Sequence, residues 1–495
     1  MRQFSKTKAG ASRPALNTDT DLIQKLIAVV GPKNVLTHPV DLSVYECDAE
    51  TLDVSSPDLV VLPGSTNEVA EVVKLAQALA IPVVARGAGT GLSGGATCVR
   101  GGISLVLTRM NRVLYVSPEE SCALVEVGAT NVSVSQAASR YNLYFAPDPS
   151  SQSASTIGGN VAENAGGPHT LKYGMTTHHV LGLKVVLADG QILTIGGVSR
   201  TSNDLDLAGL LVGSEGTLAV VTEAVLKLIP KAEKTETLLA YFPTVGQAGQ
   251  AVSDIVAHGI IPAAMEMIDN LTINAVEDYL ALGLDRRAAA LLIVELDGQA
   301  VAIANERKLV ESLLVNNGIL SSTWARDAQE RATIWKARKA AFGALGRIAP
   351  HGYVLDGVIP RSKLAQVIDG IEKIGQRNRV TVANVYHAGD GNLHPCMLYH
   401  RDDDDEVARV MRAGKEILTL CVELGGTLTG EHGVGIEKME EMHLVFSEED
   451  LELMGQVKQC FDPSLVLNPG KIFPHLKGCG ESGRTLLRHK VFSHC

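Results

Sequence analysis

Two stretches of this chain hold side chains that can bind a metal ion and move a proton. His387 and His394 flank the glycine-rich turn in Val385-Tyr-His-Ala-Gly-Asp-Gly-Asn-Leu-His-Pro395. Gly430-Glu-His-Gly433 sets Glu431 and His432 between glycines. The preceding run, Val380 to Tyr386, is apolar and β-prone, so the two histidines sit about one hairpin apart and can meet one ion through their imidazole nitrogens. His387, His394 and Glu431 then make a three-ligand site with an open position. Zn2+ suits two imidazoles and a carboxylate, and Mn2+ or Fe2+ also fits. His432, adjacent to Glu431, has the imidazole chemistry of a general base. Spacing alone leaves plainer readings open. A His-x6-His pair also fits two unrelated loop histidines, Asp390 between glycines makes an Asx-turn, and Glu431-His432 fits a helix start. A metal-dependent hydrolase would use the same set.

The elements that must carry these residues follow Pro230. Strands are expected near 236–242, 263–268, 289–296, 319–324, 353–358 and 380–387. Helices are expected near 246–258, 300–317, 328–347, 362–377, 406–424 and 448–460. Together they make an α+β domain. Arg338 falls on the helix 328–347, where its fork can clamp a carboxylate or pair with an acid of its own helix. The acidic run Asp402–Glu406 suits a helix start.

Before Pro230 the texture is different. Leu59-Val-Val-Leu62 reads as a strand broken by Pro63-Gly64. Ser65 and Glu68 form a capping box for a helix Thr66–Leu79, and Ile81–Ala85 is a second strand, giving a β-α-β unit. Arg86-Gly-Ala-Gly-Thr-Gly-Leu-Ser-Gly-Gly95 then contains a literal G-x-G-x-x-G. A Rossmann fold needs a helix directly after those glycines and an acid about twenty residues on. Neither is present, which leaves a structural turn or a nest of backbone N–H groups for phosphate. Two more glycine-rich stretches follow, Ser155–Gly167 and Gly213–Thr217. Several such loops suggest a long ligand with a pyrophosphate in its middle. Between them lie strands at 103–107 and 123–128, a helix at 131–141, and a hairpin turning at Asp189-Gly190.

A chain of 495 residues is long enough for roughly two to four domains. Net charge is −11 and the aromatic share is 4%, which argues against nucleic acid as a main partner. No run of about eighteen apolar residues occurs, so no transmembrane helix is expected. The eight cysteines form no C-x-x-C pair, against an iron–sulfur cluster or structural zinc, and read as reduced thiols. Arg2, Lys6, Lys8 and Arg13 precede the first acid, Asp19, which fits a loose basic start or a transit peptide.

In order along the chain, Leu62-Pro-Gly-Ser-Thr-Asn-Glu-Val69, Arg86 to Gly94 and Ser155-Thr-Ile-Gly-Gly-Asn160 resemble the FAD-binding domain of the vanillyl-alcohol-oxidase superfamily. Tyr386 to His394, Gly430-Glu-His-Gly433 and Asn468-Pro-Gly-Lys471 resemble its 2-hydroxy-acid dehydrogenase branch. That branch includes FAD-linked subunits of glycolate oxidase, FAD-dependent D-lactate dehydrogenases and D-2-hydroxyglutarate dehydrogenase. The likeness spans residues 40–474. Ile334-Trp-Lys-Ala-Arg-Lys339 and Asp356-Gly-Val-Ile-Pro-Arg361 resemble the glycolate-oxidase type.

The resemblance implies an α+β fold. After an N-terminal segment at 1–50 comes a FAD-binding domain of two α+β subdomains at 51–232. A substrate (cap) domain with an antiparallel sheet and the metal site follows at 233–440. A C-terminal helical segment at 441–474 returns to the FAD, and a loose tail at 475–495 ends the chain. The pyrophosphate would lie on the first glycine loop, with Arg86, Gly87, Ala88, Gly89, Thr90, Gly91 and Ser93 about it. Pro63, Gly64, Ser65, Pro147, Asp148, Ser155, Thr156, Gly158, Gly159, Asn164, Gly166, Glu215 and Asn468 would complete the cofactor site. Some relatives attach FAD through a histidine in the first glycine loop. None is present here, so dissociable FAD is expected.

The implied reaction is oxidation of a 2-hydroxy acid to the 2-oxo acid, with hydride passing to flavin. His387, His394 and Glu431 would hold the metal, His432 would be the base, and Arg338 would bind the substrate carboxylate. Hydroxyglutarate-type relatives carry a lysine in the strand that here reads Tyr353-Val-Leu-Asp356. Its absence points to glycolate or D-lactate, with a D-2-hydroxyglutarate-type enzyme as the alternative. Without a cluster of its own, the chain would pass electrons to a quinone, a dye or a partner. The resemblance implies a second flavin-domain subunit and an iron–sulfur subunit, in a cytoplasmic protein peripheral to the inner membrane. A homodimer and a flavoprotein that mainly scaffolds an electron-transfer complex are further readings.

Overall fold

The computed structural model describes residues 20–198 and 205–474. The basic start, the tail expected at 475–495, Cys479 and Cys495 lie outside the described residues.

The first sheet is built from β1 (Val35–Leu36), β2 (Leu59–Val61), β3 (Val83–Arg86) and β4 (Ile103–Val106), in the order β1-β2-β4-β3. β2, β4 and β3 run parallel and β1 is antiparallel to β2. All three residues of β2 are buried, as a strand covered on both faces requires. The covering helix Thr66–Ala78 starts where the capping box places it. Ser65 Oγ accepts the Glu68 N–H, and Glu68 Oε2 accepts the Gly64 N–H. Its stripe Val69, Val72, Val73 and Ala76 packs with Leu26 of the helix Thr20–Val30 in one core.

Seven further strands complete this half among the described residues: β5 (Val113–Ser117), β6 (Cys122–Glu126), β7 (Leu143–Tyr144), β8 (Val180–Val186), β9 (Ile192–Gly196), β10 (Val220–Lys227) and β11 (Ile229–Pro230). β5-β6-β10-β8-β9 form an antiparallel sheet, and β7 pairs with β11. The β8–β9 hairpin turns through Gly190 at φ 79, where a left-handed residue is needed.

The second glycine-rich stretch is not a loop throughout. Residues Ile157–Glu163 form a helix. Thr156 Oγ1 caps it by accepting the Gly159 N–H, and Asn164 ends it at φ 52. Buried Ile157 and Val161, one turn apart, outweigh the poor helix propensity of Gly158 and Gly159.

The second half is dominated by one antiparallel sheet of β12 (Lys234–Phe242), β13 (Ala264–Asp269), β14 (Ala290–Gly298), β15 (Ser321–Trp324), β16 (His351–Val354), β17 (Gly357–Val358), β18 (Thr381–His387) and β19 (Asn392–Tyr399). The order is β15-β12-β14-β13-β18-β19-β16, with β17 also on β19. Three local expectations change here. The helix expected at 328–347 breaks at Ala340 into Ala328–Lys339 and Ala341–Leu345. The strand expected at 353–358 bends at Leu355-Asp356 into β16 and β17. Asn270–Leu280, for which the sequence showed no element, is a helix capped by Asp269, whose Oδ1 accepts the Thr272 N–H. Its β-branched residues, Thr272, Ile273 and Val276, weaken the local helix signal, and their burial supplies the rest.

The chain returns to the first half twice. Ile436 N–H reaches Ser93 O, before residue 440. Leu467 then pairs with Val83 in a parallel bridge beside β3.

Candidate active site

β18 and β19 form the hairpin that the sequence calls for. His387 pairs with Asn392, so His394, two residues on, projects from the same face. The two imidazoles meet edge to face with centroids 4.9 Å apart. Glu431 Oε1 lies 3.0 Å from His387 Nε2 and 3.4 Å from His394 Nε2. One ligand atom from each of the three residues lies within 4.8 Å of the others. His394 Nε2 is buried without a hydrogen-bond partner. These are the donor atoms and the unfilled bonding capacity that a divalent cation would satisfy, so the residues fit a metal.

Two residues that the sequence reading did not single out hold this cluster in place. Glu266, opposite His387 in the β13–β18 register, accepts from His387 Nδ1 at 2.6 Å and from Arg338 Nε at 2.6 Å. A carboxylate on the outer nitrogen orients the ring so that Nε2 faces inward. Asp356, at the bend between β16 and β17, is fully buried. Its Oδ2 accepts N–H groups from Gly430, Glu431 and His432 at 2.9–3.1 Å, and the Thr429 hydroxyl at 2.5 Å. A second triad, Asp356, His394 and His432, is also compact enough for an ion. Asp356 Oδ2 is already spent on that loop, which favours the His387–His394–Glu431 set.

Electrostatics follow from these contacts. Burial opposes charge on His387, but Glu266 and Glu431 outweigh it and raise its pKa. Burial likewise opposes charge on Glu431, yet His387 and the neighbouring imidazoles bring it down to about 2. His432 stacks on His394 at 4.7 Å. Burial pushes His432 down to about 4 against the pull of Asp356, so the ring is neutral at neutral pH. Its Nδ1 has no hydrogen-bond partner.

His394, Glu431 and His432 line a cleft together with the glycine-rich stretches. Arg86, Gly87, Ala88, Gly89, Thr90 and Gly91 line it from the first glycine loop. Ser155, Thr156, Gly158 and Gly159 line it from the helix start, and Glu215 from the third glycine stretch. A Cβ on Gly87 would fall 2.2 Å from Thr156 Oγ1, so the backbones approach as only glycine allows. Ser155 Oγ and Asn160 Nδ2 are buried there without partners. A glycine-lined groove with orphaned donors at a helix N-terminus fits an anionic, pyrophosphate-bearing cofactor.

The remaining expected cofactor residues make contacts around the cleft. Gly64 and Ser65, directly after Pro63, cap the helix Thr66–Ala78. Ser93 Oγ donates to Glu163, a half-buried acid on the cleft wall that the sequence reading passed over. Pro147 O accepts from Asn131, and Asp148 is paired with His169 at 2.8 Å. Asn164 Oδ1 accepts the Thr177 N–H. Gly166 gives room to Glu431, whose Oε2 would lie 2.9 Å from an added Cβ. Asn468 ties Gly95 O to Glu215 O. Both Glu215 oxygens are taken by the N–H groups of Val434 and Gly435. Arg338 lies behind His387, joined to the cluster through Glu266, and not on an acid of its own helix.

Residues 57–196 match the FAD binding domain family, and residues 231–472 match the C-terminal domain of FAD linked oxidases. The chain is 44% identical over 470 residues to glycolate oxidase subunit GlcD of Escherichia coli K12, covering 95% of this chain and 94% of that one. The chain belongs to the FAD-linked oxidases. This FAD-linked oxidase is also 39% identical over 454 residues to glycolate oxidase subunit GlcD of Bacillus subtilis, with coverage of 92% and 97%. It is 35% identical over 418 residues to a D-lactate dehydrogenase of Archaeoglobus fulgidus, with coverage of 84% and 91%. The fold is shared with p-cresol methylhydroxylase (TM-score 0.78, 18% identity, 92% of this chain and 96% of that one). It is shared as well with 4-ethylphenol oxidase from Gulosibacter chungangensis (TM-score 0.75, 18% identity, 92% and 97%). The α+β flavin fold expected from the sequence is therefore the observed one, and the protein is an FAD-dependent oxidoreductase.

Proposed function

We propose that this FAD-linked oxidase oxidises a short 2-hydroxy acid, glycolate or D-lactate, to the 2-oxo acid with the help of a divalent metal, Zn2+ first among the candidates. One observation carries the reading: His387, His394 and Glu431 converge, the latter two on the wall of the glycine-lined cleft, with the neutral ring of His432 stacked on His394. When bound, the flavin supplies the hydride acceptor and the metal acidifies the substrate hydroxyl. His387, His394 and Glu431 would hold the metal and leave a position for substrate. His432 takes the hydroxyl proton on its neutral ring, whose Nδ1 has no hydrogen-bond partner. Arg338 offers Nη2, also unpartnered, to the substrate carboxylate. Glu266 holds His387 and Arg338 in fixed relation, so metal and carboxylate sites keep their spacing. Asp356 holds the loop that presents Glu431 and His432.

The first glycine loop, residues 86–95, carries no histidine, which supports dissociable FAD. The relatives named as subunits support operation within an assembly. A second flavin-domain chain and an iron–sulfur chain would take the electrons. No helix among the described residues is long and apolar enough to cross a membrane. We place the protein in the cytoplasm, peripheral to the inner membrane.

The test is anaerobic reduction of the yellow holoenzyme by a panel of 2-hydroxy acids, with dye turnover before and after chelation. Bleaching by glycolate or D-lactate, lost with the metal and restored by its return, is expected. Full turnover by metal-free enzyme would remove the metal from the mechanism. A preparation that no 2-hydroxy acid bleaches would remove the substrate class. Flavin released by acid precipitation is the expected sign of non-covalent binding.

A further inference from the structure

A second cavity of about 500 Å³ lies between the helix Ala328–Lys339 and the loops that carry Asp148, Ser150 and His169. One face of the helix supplies Arg331, Trp335, Lys336, Arg338 and Lys339 to its wall. Asp148 is the one carboxylate among the described lining residues, and it is paired with His169. Arg331 is engaged by Glu295. Lys336 and Lys339 are exposed and make no ion pair with a described residue. Arg338, 3% exposed, keeps Nη2 without a partner. The cavity is therefore a concave, net-positive space with the buried guanidinium of Arg338, its Nη2 unpartnered, in its wall.

Its position relative to the cofactor cleft gives it a role. Ser150 lines both spaces. Phe342, four residues after Arg338, lines the cleft and packs on His394 with ring centroids 6.3 Å apart. The segment Arg338 to Phe342 is thus the partition between them. The cleft is the cofactor's place, so a substrate reaching the histidine cluster in the holoenzyme needs another approach. Arg338 contacts that cluster through a single carboxylate, Glu266.

We propose that this second cavity is the entry vestibule for the carboxylate substrate. Lys336 and Lys339 gather the anion, and Arg338 receives it beside the cluster. The inference rests on the 2-hydroxy-acid reading above and adds to it a path and a capture site. A pair of like charges at a low-dielectric opening concentrates small anions and raises their apparent association, an effect that salt screens.

The experiment uses the holoenzyme and the double variant Lys336→Glu/Lys339→Glu, with retained flavin absorbance as the check on folding. Turnover of glycolate and D-lactate with a dye is followed against NaCl concentration. At low salt, kcat/KM should fall about tenfold with kcat unchanged, and the gap should close as salt rises. Binding is read separately through Trp335. The chain has 2 tryptophans, so Trp324→Phe leaves Trp335 as sole reporter. Oxalate should perturb its fluorescence, with an affinity weakened by a similar factor in the double variant. Unchanged kcat/KM and unchanged oxalate affinity in the double variant would overturn the vestibule. If wild-type enzyme oxidises no 2-hydroxy acid, the substrate reading fails on its own. The oxalate titration then still decides whether the cavity gathers carboxylates.

Discussion

Glu266 shows what a single buried side chain does here. It is 0% exposed, and burial alone would favour its neutral form, yet Arg338 and His387 hold its pKa below the ordinary value. Glu266→Gln removes the charge and leaves the guanidinium of Arg338 buried without its counter-ion. Losing one partner of a buried pair costs about 3–5 kcal/mol. Losing the carboxylate behind a metal-binding imidazole costs about 10–100-fold in metal affinity. The variant should therefore unfold earlier and bind metal more weakly, as thermal melts and metal titration of the purified protein would show. An unchanged metal affinity would mean that His387 is not a ligand. His432→Ala should behave in the opposite way. The His432 ring stacks on His394 and its backbone N–H goes to Asp356, with no hydrogen bond to the glycine loops or Glu266, so flavin absorbance and stability should persist while turnover falls by about 10²–10⁴-fold. Retained turnover would move the base elsewhere.

At the scale of elements, the site depends on how the loop 430–435 is pinned between two carboxylates, Asp356 from the cap and Glu215 from the FAD-binding half. Gly435 lies at φ 52, and a Cβ there would fall 2.0 Å from the carbonyl oxygen of Ser93. Gly435→Ala must move backbone against backbone, at a cost of about 1–3 kcal/mol. Because the same loop carries Glu431 and His432, turnover should drop more than the melting point suggests. A variant with normal kcat would show that the loop tolerates displacement. This arrangement also explains what the sequence made legible. His387, His394, Glu431 and His432 lie in short glycine-flanked motifs, so local spacing exposes them. Glu266 and Asp356 act across the sheet on residues far along the chain, with no local pattern to reveal the pairing. Their one signal was an acid inside an apolar strand, as in Ala264-Met-Glu-Met-Ile268, where an unpaired charge would be costly. The glycine stretches were legible as places of close approach. That Ile157–Glu163 is a helix was not, because burial and not propensity decides it.

At the scale of the whole molecule, the two halves are joined by a charged latch beside the active site. His169 of the FAD-binding half lies between Asp148 Oδ2 at 2.8 Å and Glu295 Oε1 of the cap at 3.3 Å. Trp335 stacks near its ring and donates to Glu295, which Arg331 also engages. Lys172 and Tyr173 add contacts to Asp297 on the same strand. Burial lowers the pKa of His169, but Asp148 and Glu295 overcome it and carry the imidazole from 6.5 up to about 10. In the unfolded chain that charge is lost near pH 6.5; in the folded protein it persists to about pH 10. The stabilisation is therefore complete below pH 6.5 and declines as pH rises towards 10. Other groups titrate over this range, so the difference from His169→Asn isolates the latch. The wild-type protein should melt several degrees higher than the variant at pH 6, and the two melting curves should converge by pH 10. Curves that stay parallel across this window would show that His169 carries no charge between the halves. Convergence accompanied by unchanged kcat at pH 7 would separate the latch from the chemistry. A fall in kcat would show that the cap must be held on the FAD-binding half for His432 and Arg338 to act on the same substrate.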